Sequence, residues 1–273
     1  MTQRGLQTGT EANFDFHLRV QMGLVPGVRV FRGLGERESI QTTATGEDLW
    51  RGNELAAAPT SHLLIPTPAF TGEQMTVDGE SAQDVEGGTG AASIIIEYLD
   101  PLGDEKSREV PLNGTTAVNI EPSISFVNDM YVNKLSASNT TGVAAGNIFI
   151  HNTADAGLVY NMIAAGGNKS LVPHRRVPRQ KTLFLREWVG SEKSATKRCT
   201  IRLRADCNND HPDPVPQTGV FLFKGTLMVD GSGVQMPLGY TVPQFCTVKA
   251  SAWASSVNAE AACHWWGYLV DTP

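Results

Sequence analysis

Apolar and polar side chains exchange places at every second position along most of this chain, which is the period of an extended strand and not of a helix. In Lys197-Arg198-Cys199-Thr200-Ile201-Arg202-Leu203-Arg204, Cys199, Ile201 and Leu203 fall on one side and Arg198, Thr200, Arg202 and Arg204 on the other. Phe245 to Trp253 alternates again, and His264-Trp265-Trp266-Gly267-Tyr268-Leu269-Val270 reads as a further strand. Ile94-Ile95-Ile96-Glu97-Tyr98-Leu99 is a β-branched run suited to a buried strand. No stretch after residue 40 keeps a helical period over three turns. The chain is therefore expected to be all-β.

Turn chemistry punctuates these runs. Asp100-Pro101-Leu102-Gly103-Asp104 places Pro and Gly where a turn wants them, and Asn113-Gly114 is a strong hairpin signal. Residues 94–120 thus read as consecutive antiparallel hairpins. A chain of 273 residues accommodates two such units. The expected plan is two antiparallel β-sandwich domains, jelly-roll or Ig-like, behind an N-terminal arm: arm 1–36, first sandwich 37–153, second sandwich 154–273. The division falls where Asn152-Thr153-Ala154-Asp155-Ala156-Gly157 turns small and polar. In the arm, Phe14, Phe16, Leu18, Val20 and Met22 alternate as a strand would, while Phe14, Leu18 and Gln21-Met22 also fit a short helix ended by Gly23.

The functional classes narrow by chemistry. A formal charge of -6 without a basic block disfavours a nucleic-acid partner, because phosphate neutralisation needs clustered Lys and Arg. The local basic run His174-Arg175-Arg176, with Arg179 and Lys181, is interrupted by Pro173 and Pro178 and reads as a solvated loop or a contact for an acidic protein. No segment approaches the roughly 20 apolar residues that span a bilayer. Cys199, Cys207, Cys246 and Cys263 are too sparse for a disulfide framework and are expected to be reduced.

An enzyme is not expected. There is no G-x-S-x-G elbow, Walker loop, H-E-x-x-H or C-x-x-C. The run Gly87-Gly88-Thr89-Gly90 precedes no helix and reads as a flexible loop. The six histidines have no metal-ligand spacing, and Asp206-Cys207-Asn208-Asn209-Asp210 begins like a calcium loop but has His211 at the turn-glycine position and Gln217 at the closing-glutamate position. Neither cofactor nor metal is expected. Trp265 and Trp266 are adjacent in a strand, so one of them must face away from the core, which favours a contact surface.

The stretch from Gly87 to Asp100, continued by Glu109-Val110-Pro111-Leu112-Asn113-Gly114-Thr115-Thr116-Ala117-Val118, resembles a paired-strand pattern of tailed-bacteriophage virion proteins. Leu18-Arg19-Val20-Gln21-Met22-Gly23-Leu24-Val25-Pro26-Gly27 is similar to that family's N-terminal segment, and Val172-Pro173 with Lys181-Thr182-Leu183-Phe184-Leu185 and Trp188 to a later strand. Pro111 within the second strand departs from the pattern and points to an edge or a local bend. The resemblance implies a virion structural protein in a head-decoration, collar-fibre or tail-adaptor role. It implies location in the virion, self-association, with a trimer preferred, and partners among capsid, portal or neck, and tail proteins. Phe14, Phe16, Leu18, Val20, Met22, Trp265 and Trp266 are the expected docking residues. The alternative is a carbohydrate-binding host-recognition module of the tail.

Overall fold

A computed structural model describes residues 16–272 apart from 41, 43–45, 56–62, 194–196, 208–220, 230–232 and 257; for 121–122 and 221–229 it describes the backbone alone. The described chain is mostly strand. In order these are β1 (Val28–Ile40), β2 (Glu47–Asp48), β3 (Glu73–Gly79), β4 (Ala91–Leu99), β5 (Glu105–Pro111), β6 (Val118–Ile124), β7 (Phe126–Leu135) and β8 (Ile148–Asn152). They continue as β9 (Val159–Ile163), β10 (Arg175–Arg176), β11 (Lys181–Glu192), β12 (Cys199–Asp206), β13 (Phe221–Val229), β14 (Val234–Val242), β15 (Thr247–Ala254) and β16 (Ala259–Asp271).

Four antiparallel sheets result. One has the order β1-β16-β11-β14, and a second runs β10-β15-β12-β13 with β2 added on β15. One apolar core draws on both, with Leu183, Leu185, Trp188, Ile201, Leu203, Val248 and Trp265 among its members. The other two sheets, β6-β3-β8-β9 and β5-β4-β7, share a second core that includes Met75, Val77, Ile94, Ile96, Ile120, Met130, Ile148 and Ile150. A smaller cluster, Trp50, Leu55, Ile65, Val159, Met162 and Val172, mixes residues from both stretches of chain.

The pairing corrects the expected division of the chain. β1, assigned in part to an arm, pairs with β16 from Val28↔Val270 to Arg37↔Ala261. The 153/154 boundary falls between β8 and β9, which are hydrogen-bonded neighbours in one sheet. The polar run there is a hairpin turn, in which the Asn152 side chain accepts from the Ala154 and Asp155 N–H groups. The Asn113-Gly114 signal does not close a hairpin either. β5 pairs with β4, but β6 belongs to a different sheet, and Gly114 donates to the Asp84 carbonyl at this crossing. β5 is the edge of its sheet, and Pro111 is its last residue.

One other expectation changes because what reads as solvated is enclosed. The 87–90 run is a loop, as expected, and beside it buried Asp84 accepts from the N–H groups of Ala91 (2.7 Å), Ala145 (2.9 Å) and Gly146 (2.8 Å). His174, Arg175 and Arg176 are buried, not solvated. The Arg176 backbone and Asn128 side chain exchange two hydrogen bonds, tying β10 to β7, and Arg175 faces Asp129 at 3.3 Å. Burial pushes the Arg176 guanidinium down to about 10, against the pull of Asp206. The guanidinium lies over the Phe126 ring, 4.5 Å from its centroid.

Gly33 of β1 shows how closely the first core is filled. A Cβ there would stand 2.3 Å from the Pro173 carbonyl oxygen and 2.5 Å from Trp265 Nε1, on top of the hydrogen bond that joins them. Gly33→Ala is expected to destabilise the protein by roughly 3 kcal/mol, from overpacking and a strained buried hydrogen bond. Urea unfolding monitored by tryptophan fluorescence would show this as a lower midpoint at unchanged slope.

Candidate assembly surface

The bulge in β11 between Leu185 and Glu187 sets which side chains face out of the first sheet. Inward run Leu183, Leu185, Trp188 and Gly190 from β11, and Ala261, Cys263, Trp265 and Leu269 from β16, all buried. Outward, the register aligns three rows: Val30, Tyr268 and Phe184; Arg32, Trp266 and Glu187; Leu34, His264 and Val189. The solvated face of an antiparallel sheet is ordinarily polar. This one carries an aromatic or aliphatic group in every row.

A short helix, residues 16–21, lies on that face. It stops at Gly23, whose φ of 70° lies in the left-handed region that glycine tolerates. Gly23 N–H donates to the Val20 carbonyl and Leu24 N–H to that of Arg19, the paired bonds of a Schellman stop. So short a helix is marginal in water alone, and here packing holds it. His17 Nδ1 is 2.9 Å from the Tyr268 hydroxyl, the His17 ring lies 4.9 Å from that of Trp266, and Phe16 meets Tyr268 edge-on at 5.5 Å. Val20 is buried beneath.

What this leaves outside is apolar. Phe16, Leu18, Met22, Leu24, Leu34 and Phe184 are six of the eleven large hydrophobic residues exposed among the described residues. The other five are Phe70, Leu102, Leu135 and Leu158 on other parts of the chain, and Tyr240, which the register sets opposite inward-facing Leu185. Scattered apolar exposure needs no explanation, whereas a concentration on one face marks an interaction site. The three rows carry one charge of each sign, Arg32 and Glu187. Burial, with the Arg32 charge beside it, holds the His264 imidazole below its ordinary range, so the ring is neutral at pH 7.

The expected docking residues separate into three groups. Phe14 lies outside the described residues. Phe16, Leu18 and Met22 are exposed and Trp266 is half-buried on the outer face. Val20 and Trp265 are buried: Val20 anchors the helix to its own chain, and Trp265 fills the core with its indole N–H donating to the Pro173 carbonyl at 2.9 Å. His17, Leu34, Phe184 and Tyr268 were not anticipated. Counting by twos from Trp266 reaches His264 and Tyr268, so part of that signal was in the alternation. The Trp266 and Tyr268 rings are partly covered by His17 and Phe16 and do not make a bare, flat sugar platform.

The thiols also divide. Cys207 and Cys246 form a disulfide, which corrects the expectation that all four are reduced. Cys199 and Cys263 are free and buried, and burial pushes each thiol up to about 12. No described helix is long and apolar enough to cross a membrane.

No family model matches this chain, and no curated protein does. Solved structures from infectious bursal disease virus show a slight likeness. The structure of the Gx strain is 10% identical, with a TM-score of 0.23, across 89% of this chain and 71% of that one. The crystal structure of the T13 viral particle is 11% identical, with a TM-score of 0.20, across 89% and 73%. The VP2 subviral particle is 10% identical, with a TM-score of 0.19, across 89% and 76%. A likeness of this size is too slight to assign a fold or a role.

Proposed function

We propose that this chain is a non-enzymatic structural protein of a virion, and that it assembles with copies of itself through the outer face of the β1-β16-β11-β14 sheet and the helix lying on it. The carrying observation is the concentration of exposed apolar side chains on that one face. Its opposite charges, Arg32 and Glu187, favour a copy of the same chain as the occupant, since a surface meeting itself about a symmetry axis can set one against the other. The two cores fit two β-sandwiches, one assembled from the first and last strands and one from β3 to β9. Placement in a bacteriophage rests on the sequence resemblance, as do capsid, neck or tail neighbours and the preference for a trimer.

Sedimentation velocity tests the reading. The wild type is expected to associate at micromolar concentration. The double variant Leu18→Asp, Met22→Asp, which alters one exposed helix position and the exposed residue just after the helix, is expected to weaken association roughly 30-fold or more, as the loss of one interface hot spot does, with an unchanged circular dichroism spectrum. A wild type that stays monomeric at 100-fold higher concentration would sink the proposal.

A further inference from the structure

The outer face of the first sheet continues past the row of Leu34, His264 and Val189, and its character changes there. The next row is Glu36, Ala262 and Ser191, and beyond it stand Glu38 of β1 and Glu260 of β16. Arg51, on the single 3-10 turn after β2, pairs with Glu36, Glu38 and Glu54, and Lys193 meets Glu260 at 2.7 Å. Glu36, Glu38, Glu54 and Glu260 therefore share only Arg51 and Lys193, four carboxylates to two bases.

The helix end has the opposite balance. Arg19 of the helix, Arg32 of β1 and Arg186, the extra residue of the β11 bulge, are exposed, and Glu187 is the one carboxylate in the rows beneath them. Among the described residues none of these three arginines takes part in an ion pair. The relief of the face divides in the same way. The helix stands up from the sheet over Tyr268 and Trp266. At the other end lies a hollow of about 500 Å3, with Glu36, Glu38, Ser191, Glu260 and Ala262 in its lining. Each strand residue advances about 3.4 Å, so roughly 27 Å separate Tyr268 from Glu260, with His264 midway.

We infer that two copies pack face to face about a two-fold axis that crosses the strands at the His264 row, so that the helix of each copy sits over the hollow of the other. This rests on the self-assembly proposed above and fixes its geometry. Rotation about that axis lays the Tyr268 and Trp266 rows of one copy over the Glu260 and Ala262 rows of the second. Arg32 comes to Glu36, and Arg19 comes to the hollow that holds Glu38 and Glu260. A two-fold along the strands gains an Arg32–Glu187 pair but stacks helix on helix, each about 10 Å across, and sets carboxylates on carboxylates. A contact of this kind is complete with two copies, in place of the three that the sequence resemblance implies.

Sedimentation velocity tests the arrangement, and a two-copy species is expected for the wild type at micromolar concentration. Glu38→Lys with Glu260→Lys sets base against base, and Arg19→Glu with Arg32→Glu sets acid against acid. Each pair of changes is expected to weaken association roughly 30-fold or more. The circular dichroism spectrum should stay unchanged, because exposed ion pairs contribute little to folding. An equal mixture of the two variants is expected to regain wild-type affinity as a mixed pair, since both ends then meet charges of opposite sign. If a variant does not fold, the wild type alone decides: raising sodium chloride from about 0.05 to about 0.5 M is expected to weaken its association roughly tenfold by screening. Indifference of the association to salt or to either variant, a mixture that stays apart, or a three-copy mass would overturn the two-fold arrangement. Those results leave self-assembly itself standing, whereas a wild type that stays monomeric removes the ground beneath both.

Discussion

Dithiothreitol is expected to lower the thermal midpoint of this protein by roughly 8–16 °C. The Cys207–Cys246 bond lies just beyond the last pair of two hydrogen-bonded strands, where Asp206 of β12 faces Thr247 of β15. It closes a loop with a sequence separation of 39 that holds β13 and β14. In the chain-entropy account, a cross-link of that span removes about 4 kcal/mol of freedom from the unfolded state. In a chain of this size each kcal/mol moves the midpoint by roughly 2–4 °C. Cys246 is also part of the first core, so Cys207→Ser is the cleaner comparison: it opens the bond by changing the exposed partner. Cys207→Ser should reproduce the reduced midpoint and be insensitive to reductant. A wild-type midpoint that dithiothreitol leaves in place would mean that these sulfurs are unbonded in solution.

The second large effect separates two neighbouring tryptophans. Trp265→Ala is expected to cost about 5 kcal/mol, the sum of a large core cavity and a buried carbonyl at Pro173 left without its donor. A domain stable by roughly 5–15 kcal/mol loses about a third or more of its stability that way; the soluble fraction and its near-ultraviolet dichroism measure the outcome. Trp266→Ala removes a half-buried ring from the outer face and is expected to cost only about 1 kcal/mol in unfolding. Its larger effect should appear in association, because it takes away the support on which His17 and the helix rest. Equal unfolding costs for the two variants would contradict the in-and-out assignment.

Much of the strand content was legible because one sheet face is a strict period-two pattern. β12 shows this: Cys199, Ile201, Leu203 and Ala205 are all fully buried on one side. The helix stop at Gly23 was legible as one of two options. Partner choice was not, since alternation states that a segment is a strand but not which strand it meets. The pairing of β1 with β16 spans nearly the whole chain and leaves no local mark. A bulge is equally silent: continued alternation from Leu183 and Leu185 would turn Glu187 inward, yet the extra residue turns Trp188 inward instead. Burial of His174-Arg175-Arg176 depends on Asn128 and Asp129 of distant β7, and Ser125 just before it, arriving in space. For the candidate surface, Leu18, Met22 and Trp266 could be anticipated, whereas Phe184 and Leu34 join them only through sheet register. The disulfide escaped for the same reason, because cysteine spacing along the chain does not report distance in space.

The joining of β1 to β16 also orders events during synthesis. Every strand of the second core lies within residues 73–163, so that core can close while the ribosome is still at work. β1 has no such option: its hydrogen-bonding partner is made roughly 10–50 s later, at translation rates of about 5–20 residues per second. Until then a 13-residue strand waits with both edges open, and the nascent chain is most exposed to wrong pairings in that segment.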